Sequence, residues 1–238
     1  MVPFALEAHL RLSLETREVG HVIIVRCKGR IVAGSECDSL RSHVTWLLRD
    51  RRAIVLHLGE VEFIDSCGLG TIVRGLTSTR KAHGDLKLCK VPEIVRKGLA
   101  MSHLADVFDT HESEEGAVRA FYGKDLKLEA PERSGRSILC LERNPDVLSF
   151  LRAMLRSAGY DVQTTSHLKD ALLLSRITKF DAIVRGPDSD ANADVAFQSA
   201  CVSVPVIELS RDFSLLDAGE AGAGVLQQIK SRLNTQSA

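Results

Sequence analysis

Residues 63–76, FIDSCGLGTIVRGL, mark the point at which an apolar strand passes into a helix. An acidic and a hydroxyl side chain, Asp65 and Ser66, stand at that junction. Downstream, apolar residues recur at the spacing of one helical face, at Leu69, Ile72, Val73 and Leu76. Upstream, the apolar run AIVLHLGEV at 53–61 is typical of a strand buried on both faces. The segment therefore predicts a strand–turn–helix unit of an α/β sheet, with two polar side chains at the turn.

Strand and helix patterns alternate on both sides of this unit. Gly20 separates two strands within residues 9–29, and Ser35 is the predicted N-cap of the helix that follows. The further predicted elements are a strand at 86–91, a helix that starts at Pro92, a short strand near Val107 and a helix at 112–121. Strands that alternate with helices predict an α/β layer structure with a mostly parallel sheet.

A polar segment with Pro131 and Gly135 then predicts a linker, after which the alternation resumes. Asn144 and Pro145 have the pattern of a helix cap followed by proline at the first helical position. The predicted elements are strands at 137–142, 160–165, 180–184 and 204–209, and helices from 145 to Gly159, at 171–177 and at 223–233. The predicted organisation is a first domain at 1–121, a linker at 122–136 and a second α/β domain at 137–238.

Composition limits the kinds of partner that the chain is expected to bind. Lys+Arg and Asp+Glu each total 31, so the formal net charge is zero and no global field attracts nucleic acid or a membrane. The six cysteines form no C-x-x-C pair, as in a reducing compartment, and the N-terminus lacks a signal-peptide layout. The glycine-rich run at 218–224 lacks the lysine of a phosphate loop, and His103 and His111 are isolated. We therefore expect a cytoplasmic protein without a metal or cofactor.

Three interpretations of Ser66 are open from the residues alone. Ser66 is a favourable N-cap, with Gly68 and Gly70 providing a tight turn. As an enzymatic nucleophile it lacks the G-x-S-x-G elbow, and His57 lies on the preceding strand. As a phosphoacceptor it would place new charge at a helix N-terminus, which favours anions, beside the repelling carboxylate of Asp65. Phosphorylation would then alter an exposed binding surface without unfolding the domain.

The run V-x-F-I-D-S-C-G-L-G, with the upstream strand, glycine and helix, resembles the STAS domain of bacterial anti-sigma factor antagonists. The resemblance covers roughly residues 9–121, and within the motif D-S-[ST]-G-L-G only Cys67 departs from the family pattern. It implies a mixed or parallel sheet flanked by helices. It also implies that Ser66 is phosphorylated by a partner serine kinase that otherwise sequesters a sigma factor.

The resemblance and the predicted helix face together suggest a partner-binding surface around Ser66. The family often has an acidic G-E-L-D motif after its second strand, whereas this chain has the segment GRIV at 29–32. Arg30 could therefore help to hold a phosphate, or the partner could be of a different kind. The predicted surface comprises Arg30, Val32, Gly34, Ser35, Asp65, Ser66, Cys67, Gly68, Leu69, Gly70, Thr71 and Arg74.

The second domain resembles a response-regulator receiver, a three-layer, flavodoxin-like α/β fold, over about residues 137–233. The receiver's active-site residues do not carry over. The acidic pair that holds Mg²⁺ is here Glu142-Arg143, and Gly186 stands where the phosphorylated aspartate would end the third strand. Ser210 matches the switch hydroxyl, and Asp188 lies past the strand end. We therefore predict a pseudo-receiver without phosphotransfer chemistry, kept for interaction or homodimer formation; an unrelated α/β domain is the alternative.

Taken together, these patterns predict a non-catalytic signalling protein. It would bind an anti-sigma factor that is also a serine kinase, would be switched by phosphorylation of Ser66, and would regulate transcription indirectly. The alternative is a constitutive STAS interaction module in which Ser66 is never modified.

Overall fold

The computed structural model describes residues 11–123, 135–187, 197, 199, 203–215 and 218–235. The chain divides into two compact units, one built from most of residues 1–128 and one mainly from residues 129–238. Most of the predicted linker, residues 124–134, lies outside the described residues, as do residues 1–8 and Asp188. Among the described residues, no helix has the length and apolar character needed to cross a bilayer.

Within residues 11–123, five strands and four helices build the first unit. The strands are β1 (Ser13–Val19), β2 (Val22–Ile31), β3 (Ala53–Ile64), β4 (Asp85–Cys89) and β5 (Thr110–His111). The helices are α1 (Ser35–Leu47), α2 (Ser66–Lys81), α3 (Glu93–Met101) and α4 (Glu114–Tyr122). The strand order is β5-β4-β3-β2-β1, and the pairs β2–β3, β3–β4 and β4–β5 are parallel. The predicted α/β structure with a mostly parallel sheet is confirmed for this unit.

The core of the first unit lies between the sheet and its helices. Ile54 and Leu56 of β3 are fully buried, as the continuous apolar run predicts. On α2 the predicted apolar stripe packs into the same core, with Ile72 and Leu76 almost completely buried. Gly20 adopts a φ of 63° between β1 and β2, a left-handed conformation that glycine tolerates. The expected turn between the first two strands is therefore confirmed.

Three local predictions for this unit are wrong. Residues near Val107 form a 3₁₀ turn, Ala105–Val107, and the short strand follows at Thr110–His111. Pro92 is the N-cap residue of α3 and not its first helical residue. Ser35 is the first residue of α1, whose N-cap is Gly34. In each case the element type nearby was correct and the boundary moved by a few residues, as helix ends commonly do.

In the described part of the second unit, four strands form a parallel sheet. The strands are β6 (Ser137–Leu141), β7 (Asp161–Thr165), β8 (Ala182–Arg185) and β9 (Val206–Glu208), in the order β7-β6-β8-β9. The helices are α5 (Pro145–Ser157), α6 (Leu168–Ile177) and α7 (Ala218–Thr235). Asn144 caps α5 by accepting hydrogen bonds from the backbone of Asp146 and Val147, which confirms the predicted cap. The last helix begins earlier than predicted, at Ala218.

Candidate functional site

The carboxyl ends of β2 and β3 meet at one edge of the first sheet. These strands are parallel neighbours, and their last residues, Ile31 and Ile64, are paired in register. The loop that follows β2 and the turn that follows β3 therefore lie side by side. Ligand sites in α/β sheets commonly lie at such carboxyl edges. The sheet thus brings Asp65 and Ser66 close to residues 32–35.

Asp65 holds this pair of loops together. Its Oδ1 accepts a hydrogen bond from the Gly68 backbone N–H at 2.7 Å, so Asp65 is the N-cap of α2. Its Oδ2 accepts from the Ala33 backbone N–H at 2.9 Å, in the loop after β2. The interpretation of Ser66 as the N-cap is therefore wrong, because the preceding carboxylate takes that role.

The surroundings of Asp65 favour its ionised form. Partial burial acts to raise the pKa of its carboxyl group, but the backbone N–H groups of Ala33, Gly68 and Cys67 and the charge of Arg30 lower it. The balance leaves the pKa below its usual value. The turn therefore carries a fixed negative charge next to Ser66.

Ser66 is exposed at the first position of α2. Within the part of the chain that the structure describes, its hydroxyl has no hydrogen-bond partner. Because Asp65 caps the helix, the Ser66 hydroxyl is free to react without loss of the cap. Cys67, which follows it, is also exposed.

Gly68 is required by close packing between α2 and β2. A Cβ at this position would lie 2.2 Å from the backbone oxygen of Ile31 and 2.7 Å from Cγ1 of Ile64. No side chain can be accommodated at such distances without a backbone shift. Gly68 therefore allows the first turn of α2 to approach the end of β2, whereas Gly70 meets only the end of Arg74, at 3.8 Å.

Three residues of the predicted partner surface are buried. Gly68, Leu69 and Thr71 face the core, and Thr71 is 4% exposed. The Thr71 hydroxyl donates a hydrogen bond to the Cys67 carbonyl at 2.9 Å. The prediction that Thr71 lies on the exposed face of α2 is therefore wrong, since its position places it towards α1 and the sheet. Arg74, one turn after Gly70, is exposed.

The loop after β2 adds exposed residues to the surface around Ser66. Gly34 has a φ of 109°, which favours glycine, and a Cβ there would meet nothing within 4 Å. Ser35 is exposed and donates a hydrogen bond to Glu36 Oε2 at 2.9 Å. Val32 is half-buried.

Phe63 was not predicted as a site residue. It is 39% exposed near the end of β3, and the Arg30 guanidinium lies 5.0 Å from the centre of its ring. The prediction that Arg30 could hold a phosphate is untested, but its charge is near enough to Asp65 to affect that carboxylate. The sequence shows a large apolar residue two positions before Asp65, but the exposure of Phe63 depends on where β3 ends within the sheet.

His57 does not act on Ser66 in this structure. Its Nε2 lies 3.7 Å from Oε1 of Glu114, on α4, and its Nδ1 accepts a hydrogen bond from the Gly59 N–H at 3.4 Å. Burial lowers the pKa of His57, while Glu114 partly opposes this effect. Among the described residues, the Ser66 hydroxyl makes no hydrogen bond to a general base, as nucleophilic catalysis would require.

Residues 13–117 match the family model described as STAS domain. The first unit is therefore similar to STAS domains over this segment, which is less than half of the 238 residues.

Two curated relatives of the STAS segment are named as anti-sigma factor antagonists. BtrV of Bordetella bronchiseptica is 26% identical over 100 residues, which is 42% of this chain and 86% of BtrV. The anti-sigma F factor antagonist of Paenibacillus polymyxa is 28% identical over 111 residues, 46% of this chain and 94% of the relative. The crystal structure of an anti-sigma factor antagonist from Mycobacterium paratuberculosis matches at 20% identity with a TM-score of 0.41, covering 46% of this chain and 92% of that one.

Proposed function

We propose that this protein is a non-catalytic, anti-sigma factor antagonist-like signalling protein, switched by phosphorylation of Ser66. Its partner would be an anti-sigma factor that is also a serine kinase, and its effect on transcription would be indirect. The observation that carries the proposal is the exposed Ser66 hydroxyl without a described partner, next to an ionised Asp65 that caps α2 in its place. The names of the curated relatives support the class of partner.

The geometry allows modification without loss of the fold. A kinase would transfer the terminal phosphoryl group of ATP to the Ser66 oxygen, and the serine proton would leave to a base of the kinase. The cap on α2 would remain, because it comes from Asp65 and not from Ser66. The added group carries about −1.5 to −2 charges at neutral pH, beside the carboxylate of Asp65. The surface would become strongly anionic while its backbone stays in place.

Phosphorylation of Ser66 would change a surface to which both strand–helix junctions contribute exposed residues. Phe63 and Cys67 are exposed on the β3–α2 side, and Ala33, Gly34 and Ser35 on the β2–α1 side. A partner that buries Ser66 in contact with these residues would have to desolvate a dianion after phosphorylation. A buried, unpaired charge is costly enough to release a bound partner.

Phosphosite mapping tests the modification. The full chain would be incubated with ATP and candidate anti-sigma factor kinases from its own cell, and the product mapped by mass spectrometry. We expect phosphate on Ser66, no labelling of Ser66→Ala, and unchanged labelling of Ser78→Ala. Ser78 is a matched control because it is an exposed serine near the other end of α2. Labelling at another residue, or none with Ser66 present, would contradict the proposal.

Binding measurements separate a switch from a constitutive module. We expect Ser66→Asp to weaken calorimetric affinity for the kinase at least about tenfold, or about 1.4 kcal/mol. Ser66→Ala should bind like the wild-type protein. Equal affinity of all three proteins would instead favour an interaction module that phosphorylation does not control.

For the second unit we propose a pseudo-receiver used for interaction or homodimer formation. The order β7-β6-β8-β9 supports this, since flavodoxin-like sheets begin with the order 2-1-3-4. Glu142 Oε2 lies 1.7 Å from where a Cβ of Gly186 would stand, so the Glu142 carboxylate fills the space of a side chain at 186. Arg143 is exposed beside it. We further propose that the whole protein acts in the cytoplasm.

A further inference from the structure

Two cysteines of the first unit lie on the facing first turns of α1 and α2. Cys37 is 6% exposed, and Cys67 is exposed directly after Ser66. The two first turns are held together on either side of this pair. Asp65 Oδ2 accepts from the Ala33 N–H before α1, and Gly68 packs against the backbone of Ile31. The helices α1 and α2 also pack against each other.

The two cysteine side chains are neighbours. The Thr71 hydroxyl and the Cys67 side chain both lie near enough to the Cys37 thiol to affect its pKa. Thr71 lies one turn after Cys67, and its hydroxyl donates to the Cys67 carbonyl at 2.9 Å. Cys67 and Thr71 therefore share the side of α2 that faces Cys37, and the Cys67 thiol has access both to solvent and to its neighbour.

We propose that Cys37 and Cys67 form a reversible disulfide, a modification site beside Ser66 that is formed by reaction with a hydroperoxide. The inference goes beyond the proposed function and does not depend on phosphorylation. The buried pairs elsewhere in the unit are less suited to the reaction, because Cys27 and Cys89 are both fully buried. An exposed thiol next to a second, resolving thiol is the arrangement found in reversible redox sites.

The chemistry proceeds in two balanced steps. The Cys67 sulfur attacks one oxygen of the hydroperoxide, the O–O bond breaks, and Cys67 becomes a sulfenic acid while an alcohol or water leaves. The Cys37 sulfur then attacks the Cys67 sulfur, forming the S–S bond and breaking the S–O bond, with the Cys37 proton leaving in water. Together the two thiols lose two electrons and the hydroperoxide gains two. A dithiol reductant reverses the result by thiol–disulfide exchange.

Burial makes Cys37 the second of the two to react. Burial raises the pKa of the Cys37 thiol, the Thr71 hydrogen bond opposes this, and the Cys67 neighbour adds to it. A protonated, buried thiol reacts slowly with a hydroperoxide in solution, while exposed Cys67 is accessible. The bond would tie the turn that carries Ser66 to the first turn of α1.

Peptide mapping of the full chain tests the site. The protein would be treated with hydrogen peroxide, denatured, alkylated without reductant and digested with trypsin. Residues 31–41 and 53–74 form two tryptic peptides, and each contains one cysteine, Cys37 or Cys67. We expect these two peptides to be linked, with loss of alkylation at both cysteines and full recovery after dithiothreitol. Cys140, which is fully buried and lies in the tryptic peptide 137–143, should be alkylated after denaturation and serves as an internal control.

Two variants make the result decisive. Cys67→Ser changes an exposed position and should abolish the linked pair while Cys37 becomes fully alkylated. Cys37→Ser should leave Cys67 to oxidise further or to link two chains. Peroxide-treated wild-type protein with oxidised Cys67 and fully alkylated Cys37, or with Cys67 linked between chains, would overturn the proposal. Neither result bears on whether a kinase phosphorylates Ser66.

Discussion

At the residue scale, Asp65 caps α2 and Ser66 provides an exposed hydroxyl, two roles that a single side chain could have filled. Asp65 accepts backbone hydrogen bonds from Gly68 and Ala33, and so holds the start of α2 against the loop after β2. Ser66 remains exposed. A side chain that caps a helix cannot be modified without a cost in stability, whereas one beside the cap can. This separation makes a phosphorylation switch at Ser66 physically reasonable.

Removal of the Asp65 side chain should destabilise the first unit. We expect Asp65→Ala to lower the free energy of unfolding by about 1–2 kcal/mol, because a helix cap and a second backbone hydrogen bond are lost. Ser66→Ala, the matched control, should change it by less than about 0.5 kcal/mol. Trp46 is the chain's single tryptophan and lies on α1, so its fluorescence during urea unfolding reports on this unit. Equal losses in the two variants would contradict the assigned cap.

The charge of Asp65 should also make this stability depend on pH. Burial acts to raise the pKa of Asp65, but the backbone donors and Arg30 lower it below the unfolded value. A lowered pKa stabilises the fold above the unfolded pKa, and this contribution is lost as the pH falls through the folded pKa. We expect the stability advantage of the wild type over Asp65→Asn to be greatest near neutral pH and to shrink below about pH 4. An advantage that stays constant through this range would show that the charge plays no part.

At the scale of elements, the site depends on how closely α2 approaches the end of β2. Ile31 and Ile64 end two paired parallel strands, and the α2 turn crosses over the backbone of Ile31. Gly68 makes that approach possible, and the hydrogen bond from Ala33 to Asp65 follows from it. The geometry around Ser66 is thus a property of two strand–loop–helix units packed together.

Two glycine substitutions in α2 should have opposite effects. Gly68→Ala places a methyl group 2.2 Å from the Ile31 oxygen, and we expect a loss of about 1–3 kcal/mol in the free energy of unfolding. Gly70→Ala meets a flexible arginine end at 3.8 Å, and its higher helix propensity should add roughly 0.5–1 kcal/mol. Trp46 fluorescence in urea measures both variants. A neutral Gly68→Ala would show that α2 can move away from β2 without cost.

At the scale of the whole molecule, the two units differ in the chemistry that their strand ends present. In the first unit, β3 is followed by the ionised carboxylate of Asp65 and the exposed hydroxyl of Ser66. In the second unit β8 ends at Arg185, and the Glu142 carboxylate fills the space beside the following Gly186. Arg185 is buried and pairs with Glu208 of β9. In the proposed pseudo-receiver, Arg143 places a cation where a receiver would need a carboxylate for Mg²⁺.

Small phosphodonors should therefore fail to modify the second unit. We expect acetyl phosphate with Mg²⁺ to leave residues 137–235 unlabelled, as measured by mass spectrometry of the full chain. Gly186→Asp should also stay unlabelled, because the Glu142 carboxylate occupies the space of the new side chain. An intact receiver protein, treated in parallel, serves as the positive control. Stoichiometric phosphate in the second unit of the wild type would disprove the pseudo-receiver proposal.

Much of the fold could be predicted because its signals are local. The apolar run of β3, the stripe Leu69–Ile72–Leu76 of α2 and the Asn144 cap each depend on residues close in sequence. The predictions for Ser35 and Val107 were wrong about where an element begins, and the prediction for Thr71 was wrong about which helix face is exposed. Boundaries and exposed faces both depend on packing against neighbouring elements. Phe63 was missed because its exposure depends on where β3 ends within the sheet.

The sequence by itself determined the alternation of strands and helices, and the place of an aspartate and a serine at one strand–helix junction. Both follow from periodicity and from residue chemistry over a few positions. Only the tertiary structure decided that Asp65 is the cap and that Ser66 is free. It also placed Cys37 beside Cys67, and Glu142 against Gly186. The last two contacts join distant segments, which parallel strand pairing brings together and local sequence does not encode. The cap is a local contact, but the choice between Asp65 and Ser66 depends on where α2 begins, and the hydrogen bond from Ala33 to Asp65 helps to fix that position.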